Sequence, residues 1–196
     1  MQLKAYEADL TDEEWAILRP LLPKAKRGGR RRSTDLREVL NAIQYWAKSG
    51  CHWRLLPHEF PPWQTVYTYF SDWKRRGQWQ RIHDVLRGRV RQAEGRHRQP
   101  SAAIIDSQSV KTTEAGGRRG FDAGKKIKGR KRHIIVDTLG LLLAVAVYSA
   151  DIQDGAKLAF KRLPNMMRLE LVWADGAYGG ELVPWVKKST VGSSRS

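Results

Sequence analysis

A single cysteine, Cys51, stands in 196 residues. That excludes a disulfide framework and any cysteine-built zinc site, and it makes a reducing cytoplasm the expected compartment. No apolar run approaches the ~18–20 residues of a membrane-spanning helix, and no basic-then-apolar leader opens the chain. The five histidines (52, 58, 83, 97, 133) lack the paired spacing of a metal site. A G-x-S-x-G elbow is missing, so a serine nucleophile has no support. Gly120 and Gly124 beside Lys125 fall short of a phosphate loop, because three residues separate them and Lys126 stands where a hydroxyl is needed. Acid is scarce as well. Against 36 Lys+Arg there are 20 Asp+Glu, a formal charge of +16. A chain so basic points to a polyanionic partner, nucleic acid first and an anionic membrane surface second.

The basic residues gather in three runs. Residues 24–32 hold six and no acid, 74–98 hold nine against two acids, and 111–133 again hold nine against two. Any one run alone could be a solvated face, but three of them before residue 134 favour phosphate contacts. Against a prior of ~150 residues per domain, the length fits one large or two small domains.

The first half has helical periodicity. Thr11 and Glu14 form a capping box, with Leu10 and Trp15 placed as a hydrophobic staple, and Pro20 should shorten the helix that follows. A second helix should start near Ser33–Asp35, carry Leu36, Val39, Leu40, Ile43 and Trp46, and end at Gly50. A third follows Pro61-Pro62 with Trp63, Val66, Tyr67, Phe70 and Trp73 on one face, and a fourth carries Trp79, Ile82, Leu86 and Val90. These stripes place most tryptophans in a core rather than on a base-stacking platform. Short amphipathic helices with basic connections suit a helix-turn-helix-like DNA-binding module. The third helix, ending in Lys74, Arg75 and Arg76, is the recognition-helix candidate. A helical bundle with basic residues for solubility is the alternative.

After Pro100 the period changes. Ala102–Ile105 predicts a strand that delivers Asp106. A Gly- and Lys/Arg-rich loop follows, and then strands at His133–Val136 and Leu141–Tyr148 joined by an Asp137–Gly140 turn. Asp154 is placed to cap a helix with Leu158, Ala159 and Leu163, and Leu169–Ala174 predicts a strand that delivers Asp175. This order implies an α/β core with an antiparallel start and a later crossover. Two aspartates at strand ends can share Mg²⁺ or Mn²⁺, hard cations that prefer oxygen ligands. The competing reading makes each a turn residue before Ser or Gly.

Four segments occur in order: LTDEEWAILRPLLP; GGRRRSTDLREVLNAIQYWAKSGCHWRLLPHEFPPWQTVYTYFSDWKRRGQWQRIHDVL; IIDSQSVKTTEAGGRRGFDAGKKIKGRKRHIIVDTLGLLLAVAV; and VWADGAYGG. Together they resemble a bacterial insertion-sequence transposase of the DDE type, in the insertion-sequence-five family, from about residue 7 to 188. The resemblance implies an α+β architecture: an N-terminal helical, helix-turn-helix-like module ahead of a ribonuclease-H-like core. It also implies Mg²⁺ or Mn²⁺ as cofactor, and double-stranded DNA at insertion-sequence terminal repeats as partner. Asp106 in IIDSQSVK matches the first catalytic, metal-holding aspartate of the family, and Asp175 in WADGAYGG matches the second.

The family's third acid is a glutamate on a later helix near Arg and Lys, and nothing here supplies it. Glu181 follows Asp175 by only six residues, and the chain closes on STVGSSRS. The core is therefore expected to be incomplete, from a truncated or frame-shifted copy. A non-catalytic DNA-binding fragment, or a regulator of the full-length transposase, is the alternative. The expected organisation is a helical DNA-binding domain at 1–95, a linker at 96–100, a partial catalytic domain at 101–188 and a tail at 189–196. Arg30, Arg31, Arg32, Lys74, Arg75, Arg76, Lys125, Lys126, Lys128, Arg130, Lys131 and Arg132 are the expected DNA contacts, the last six on a loop mobile without DNA. A cytoplasmic, nucleoid-associated location follows from the same reading, and homo-oligomerisation stays open.

Overall fold

Thr11 opens the first helix as its residue type and spacing dictate. In the computed structural model, which describes residues 6–25, 28, 32–112, 118–152, 155–163, 167–174 and 184–186, the Glu14 amide donates to Thr11 Oγ1 (3.2 Å) and the Thr11 amide donates to Glu14 Oε2 (3.0 Å). This reciprocal pair caps α1 (Asp12–Leu18). Pro20 has no N–H to continue the ladder, and the chain tightens there into a 3₁₀ turn, Arg19–Leu21. Asp35 caps α2 (Leu36–Ser49), and Gly50 ends it at φ +65°, a left-handed angle that favours glycine. Pro62 precedes α3 (Trp63–Arg75), and α4 runs Gln78–Ala93.

The chain divides into two compact units, Met1–Leu86 and Arg87–Ser196. In the first, Leu10, Leu22, Val39, Leu40, Val66, Trp73 and Ile82 are buried, and Trp15, Trp46, Trp53, Trp63 and Trp79 pack against them. Trp46 and Trp53 stack at 4.1 Å, and the Trp79 indole N–H donates to the Phe70 carbonyl (3.2 Å). The tryptophans of this unit are core residues, as their spacing predicts.

The expected stripe of α4 breaks at Val90, which is exposed, while Arg87 and Arg91 are buried. Arg91 is 6% exposed and ion-paired with Asp137, itself fully buried, and Arg91 Nε donates to the His97 carbonyl (2.8 Å). Arg87 donates to the Leu142 carbonyl at 3.3 Å. Polar partners turn this half of the helix inward on its arginines.

The second unit is built on β1 (Ala102–Lys111), β2 (Gly120–Asp122), β3 (Ile127–Asp137), β4 (Leu142–Ser149), α5 (Gly155–Lys161) and β5 (Leu171–Trp173). β3 pairs antiparallel with β1 along one side, and with β2 then β4 along the other; β5 lies parallel to β1. The antiparallel start and later parallel strand follow the expected order.

Two expectations need correction. The strand holding Asp106 does not end there: β1 runs on to Lys111, so Asp106 is interior to it. The basic run is not a mobile loop either. Only the turn at 123–126 is irregular, with Lys126 at φ +53°, and Ile127–Arg132 is the first half of β3. Ser107–Lys111 pairs with Gly129–His133, so these two polar segments become strands through each other. Gly129 is required where they meet, because a Cβ there would fall on the Val110 carbonyl.

One face of the sheet is covered. Ala103, Ile105, Ile135, Ala144 and Ala146 pack with Ala156 and Ala159 of α5, small side chains that let helix and sheet approach closely. Gly155 opens α5 because a Cβ would occupy the position of the Tyr148 phenol. The cap expected from Asp154 lies outside the described residues.

Candidate functional site

Side chains alternate along a strand, and residues opposite each other in an antiparallel pair share a face. Ala103, Ile105, Ser107 and Ser109 therefore turn toward α5, while Ile104, Asp106, Gln108 and Val110 turn to the open face. Across β3, Ile134 stands opposite Asp106 and Arg132 opposite Gln108, so Asp106 and Arg132 are diagonal neighbours. Asp106 is exposed. The Ser107 amide donates to its Oδ1 at 2.6 Å, which fixes the carboxylate by a bond from its own strand. The same face carries Val147 and Trp173, each about half exposed.

Beneath Asp106, on the covered face, His133 is opposite Ser107 and buried, and its Nδ1 is hydrogen-bonded to the Tyr148 hydroxyl. Burial pushes the His133 imidazole down to about 4, and Lys131 and Lys125 push the same way, against the opposing pull of Asp106. The folded protein therefore holds His133 neutral while the unfolded chain protonates it near the ordinary value of about 6.5. Stability should be complete above pH 6.5 and fall by up to about 3 kcal/mol between pH 6.5 and 4. Urea midpoints of wild type and His133→Phe across that range test this: the variant should lose that part of the slope, and equal slopes would refute the assignment.

The basic candidates divide by their surroundings. Lys125 Nζ donates to the Ser107 carbonyl (3.0 Å), and the Lys125 amide to Asp122 Oδ1 (3.1 Å). Lys131 lies 3.6 Å from Asp122, whose other strong partner is the Ser109 hydroxyl at 2.5 Å. The Ser109 hydroxyl, the Lys125 amide and Lys131 together hold the Asp122 carboxyl below its usual range. Arg130 Nε donates to the Arg118 carbonyl (3.4 Å). Lys126, Lys128 and Arg132 are exposed. In the first unit, Arg75 and Arg76 both pair with Asp72, at 2.6 and 2.9 Å, and Lys74 is exposed beside them. Arg32 donates to the Pro23 carbonyl (3.1 Å), whereas Arg30 and Arg31 lie outside the described residues.

Asp175 also lies outside the described residues, two positions beyond the end of β5. Among the described residues no group of three or more His, Cys, Asp or Glu side chains is arranged to hold a metal ion, and no helix is long and apolar enough to cross a membrane. The buried Arg91–Asp137 pair is the feature that sequence reasoning missed. Its only trace was an Asp at a hairpin turn, where Asp137 Oδ1 indeed accepts the amides of Leu139 and Leu141, each at 2.9 Å.

Residues 10–83 match a family described as "Putative transposase of IS4/5 family", and residues 97–191 match one described as "Transposase DDE domain". A protein of Burkholderia cepacia, the "Insertion element IS402 uncharacterized 16.2 kDa protein", is 32% identical over 117 residues, spanning 57% of this chain and 78% of that relative. No solved structure matches the chain.

Proposed function

The chain belongs to the DDE-type transposases of insertion sequences, and from that membership we propose that Asp106 and Asp175 hold a divalent metal, as two of the three acids with which that class cuts and rejoins DNA at the ends of its element. One observation carries this reading. The parallel register pairs Ile104 of β1 with Trp173 of β5, and each aspartate is the second residue after its member of that pair. The donor chemistry fits. Asp106 offers exposed carboxylate oxygen, the ligand type that Mg²⁺ and Mn²⁺ prefer.

When bound, such ions lower the barrier to in-line displacement at phosphorus by stabilising the attacking and leaving oxygens. The chain's own residues position and neutralise. The Ser107 amide fixes the Asp106 carboxylate, β1 and β3 hold it on an open sheet face, and basic side chains offset the phosphate charge of the DNA. The helical module, residues 1–95, binds the terminal repeat, with Arg30, Arg31, Arg32, Lys74, Arg75 and Arg76 on the backbone.

The test of the metal reading is titration of Mn²⁺ into the full chain with duplex DNA ends present. Saturable binding is expected. DNA binding without any Mn²⁺ binding would leave only the non-catalytic alternative. For the helical module, Lys74→Ala/Arg75→Ala/Arg76→Ala should weaken duplex binding. It should also reduce the log–log salt slope by about 2, since Asp72 already offsets one of the three charges. A wild-type slope in the triple variant would remove this cluster from the interface.

A further inference from the structure

β3 carries two sets of basic residues, sorted by its alternation. Lys131 faces the covered side, where it meets Asp122, and Lys125 is tied to the Ser107 carbonyl from the turn. Lys128, Arg130 and Arg132 share the open face with Asp106. Of these, Arg130 is half-buried and donates to the Arg118 carbonyl, whereas Lys128 and Arg132 are exposed and their side chains have no hydrogen-bonding or ionic partner among the described residues. Asp106 is the one acid among the described strand residues of this face, and the acids Asp122 and Asp137 lie on the other.

We propose that Lys128 and Arg132 form a phosphate track along the open face of β3, with Arg132 positioning the DNA strand beside Asp106, while Lys125 and Lys131 brace the sheet and touch no DNA. Diagonal neighbours on paired strands stand about 7–8 Å apart, within the reach of a long side chain, so Arg132 can hold a phosphate next to one at Asp106. Four residues of strand separate Lys128 from Arg132 by about 13 Å, a span that covers several nucleotide steps at 3.4 Å of axial rise each. The planar guanidinium of Arg132 can grip a phosphate with two parallel hydrogen bonds, and Lys128 adds a point charge. The partition rests on the transposase reading but goes beyond it, because net charge alone would make all six residues of the run equivalent.

The experiment is fluorescence anisotropy of a labelled duplex with the full chain, from about 50 to 200 mM KCl. Lys128→Gln and Arg132→Gln should each lower the magnitude of the log–log salt slope by about 0.9, and weaken binding about eightfold at 0.1 M salt, while keeping the wild-type urea midpoint. Arg132→Lys should restore the slope. Lys131→Gln should do the opposite, leaving the slope unchanged and lowering the urea midpoint. If wild type binds with a steep slope and the Lys128→Gln/Arg132→Gln double variant keeps it, the track is wrong and the transposase reading stands. If wild type shows no salt-dependent binding, the DNA reading itself fails and the track with it.

Discussion

Replacing Asp137 by alanine should destabilise the protein by about 3–5 kcal/mol, the cost of leaving one member of a buried ion pair without the other. Three groups lose their acceptor at once. The Arg91 guanidinium is left buried and charged, and the amides of Leu139 and Leu141 lose the oxygen that closes the hairpin turn. Asp137→Asn separates these contributions. It can keep an oxygen for the two amides, but it leaves Arg91 unneutralised, so it should still cost several kcal/mol. Arg91→Met strands the carboxylate instead. The Arg91→Met/Asp137→Asn double variant should be more stable than the sum of the single losses implies, because no uncompensated charge stays buried. Urea titrations at pH 7 measure all four proteins. A loss below about 1 kcal/mol for Asp137→Ala would mean that the pair is open to water and carries little of the fold.

Asp106→Asn should abolish most of the proposed Mn²⁺ binding, by more than about a hundredfold, since even a partner that only orients a ligand is worth 10–100-fold in metal affinity. Asparagine keeps the size of the side chain, and its oxygen can still accept the Ser107 amide. Asp106 is exposed, so the urea midpoint should not move. The expected result is therefore a loss of metal with no loss of fold, read by Mn²⁺ titration beside urea unfolding. Retained Mn²⁺ affinity in Asp106→Asn would place the ion elsewhere and overturn the role given to this carboxylate.

Local chemistry made the helices readable. Thr11 and Glu14 are three residues apart, Pro20 acts on its own turn, and Asp35 and Gly50 bracket a helix whose apolar period lies wholly between them. What depended on distant partners was not readable. Ser107–Lys111 has no apolar alternation to mark it as a strand, and it becomes one by pairing with a basic segment some 20 residues later. Arg91 looked like one more solvated charge because its acceptor lies 46 residues away. Asp137 closes the hairpin turn from the end of β3, but nothing near it in the chain announces the guanidinium that it also holds. Asp106 could be singled out as an acid after an apolar run, yet its place within β1, and the sorting of its basic neighbours by face, follow only from the register.

The strand pairings of the sheet also set an order of assembly. Val136 meets Leu142 across six residues, Asp106 meets Ile134 across 28, and Ile104 meets Trp173 across 69. The entropy of closing a chain segment rises with the logarithm of its length, so the last pairing costs about 2 kcal/mol more to close than the first. The β3–β4 hairpin, with its turn held by Asp137, is thus the natural nucleus, and β1 adds to it. β5 joins last, through three residue pairs. What joins last through so little pairing is also the first to open in the native protein, so amide exchange should be fastest in the strand that leads to Asp175. The proposed metal-binding face would then be completed at the end of folding, and its occupancy by metal and DNA would draw the equilibrium toward the closed sheet.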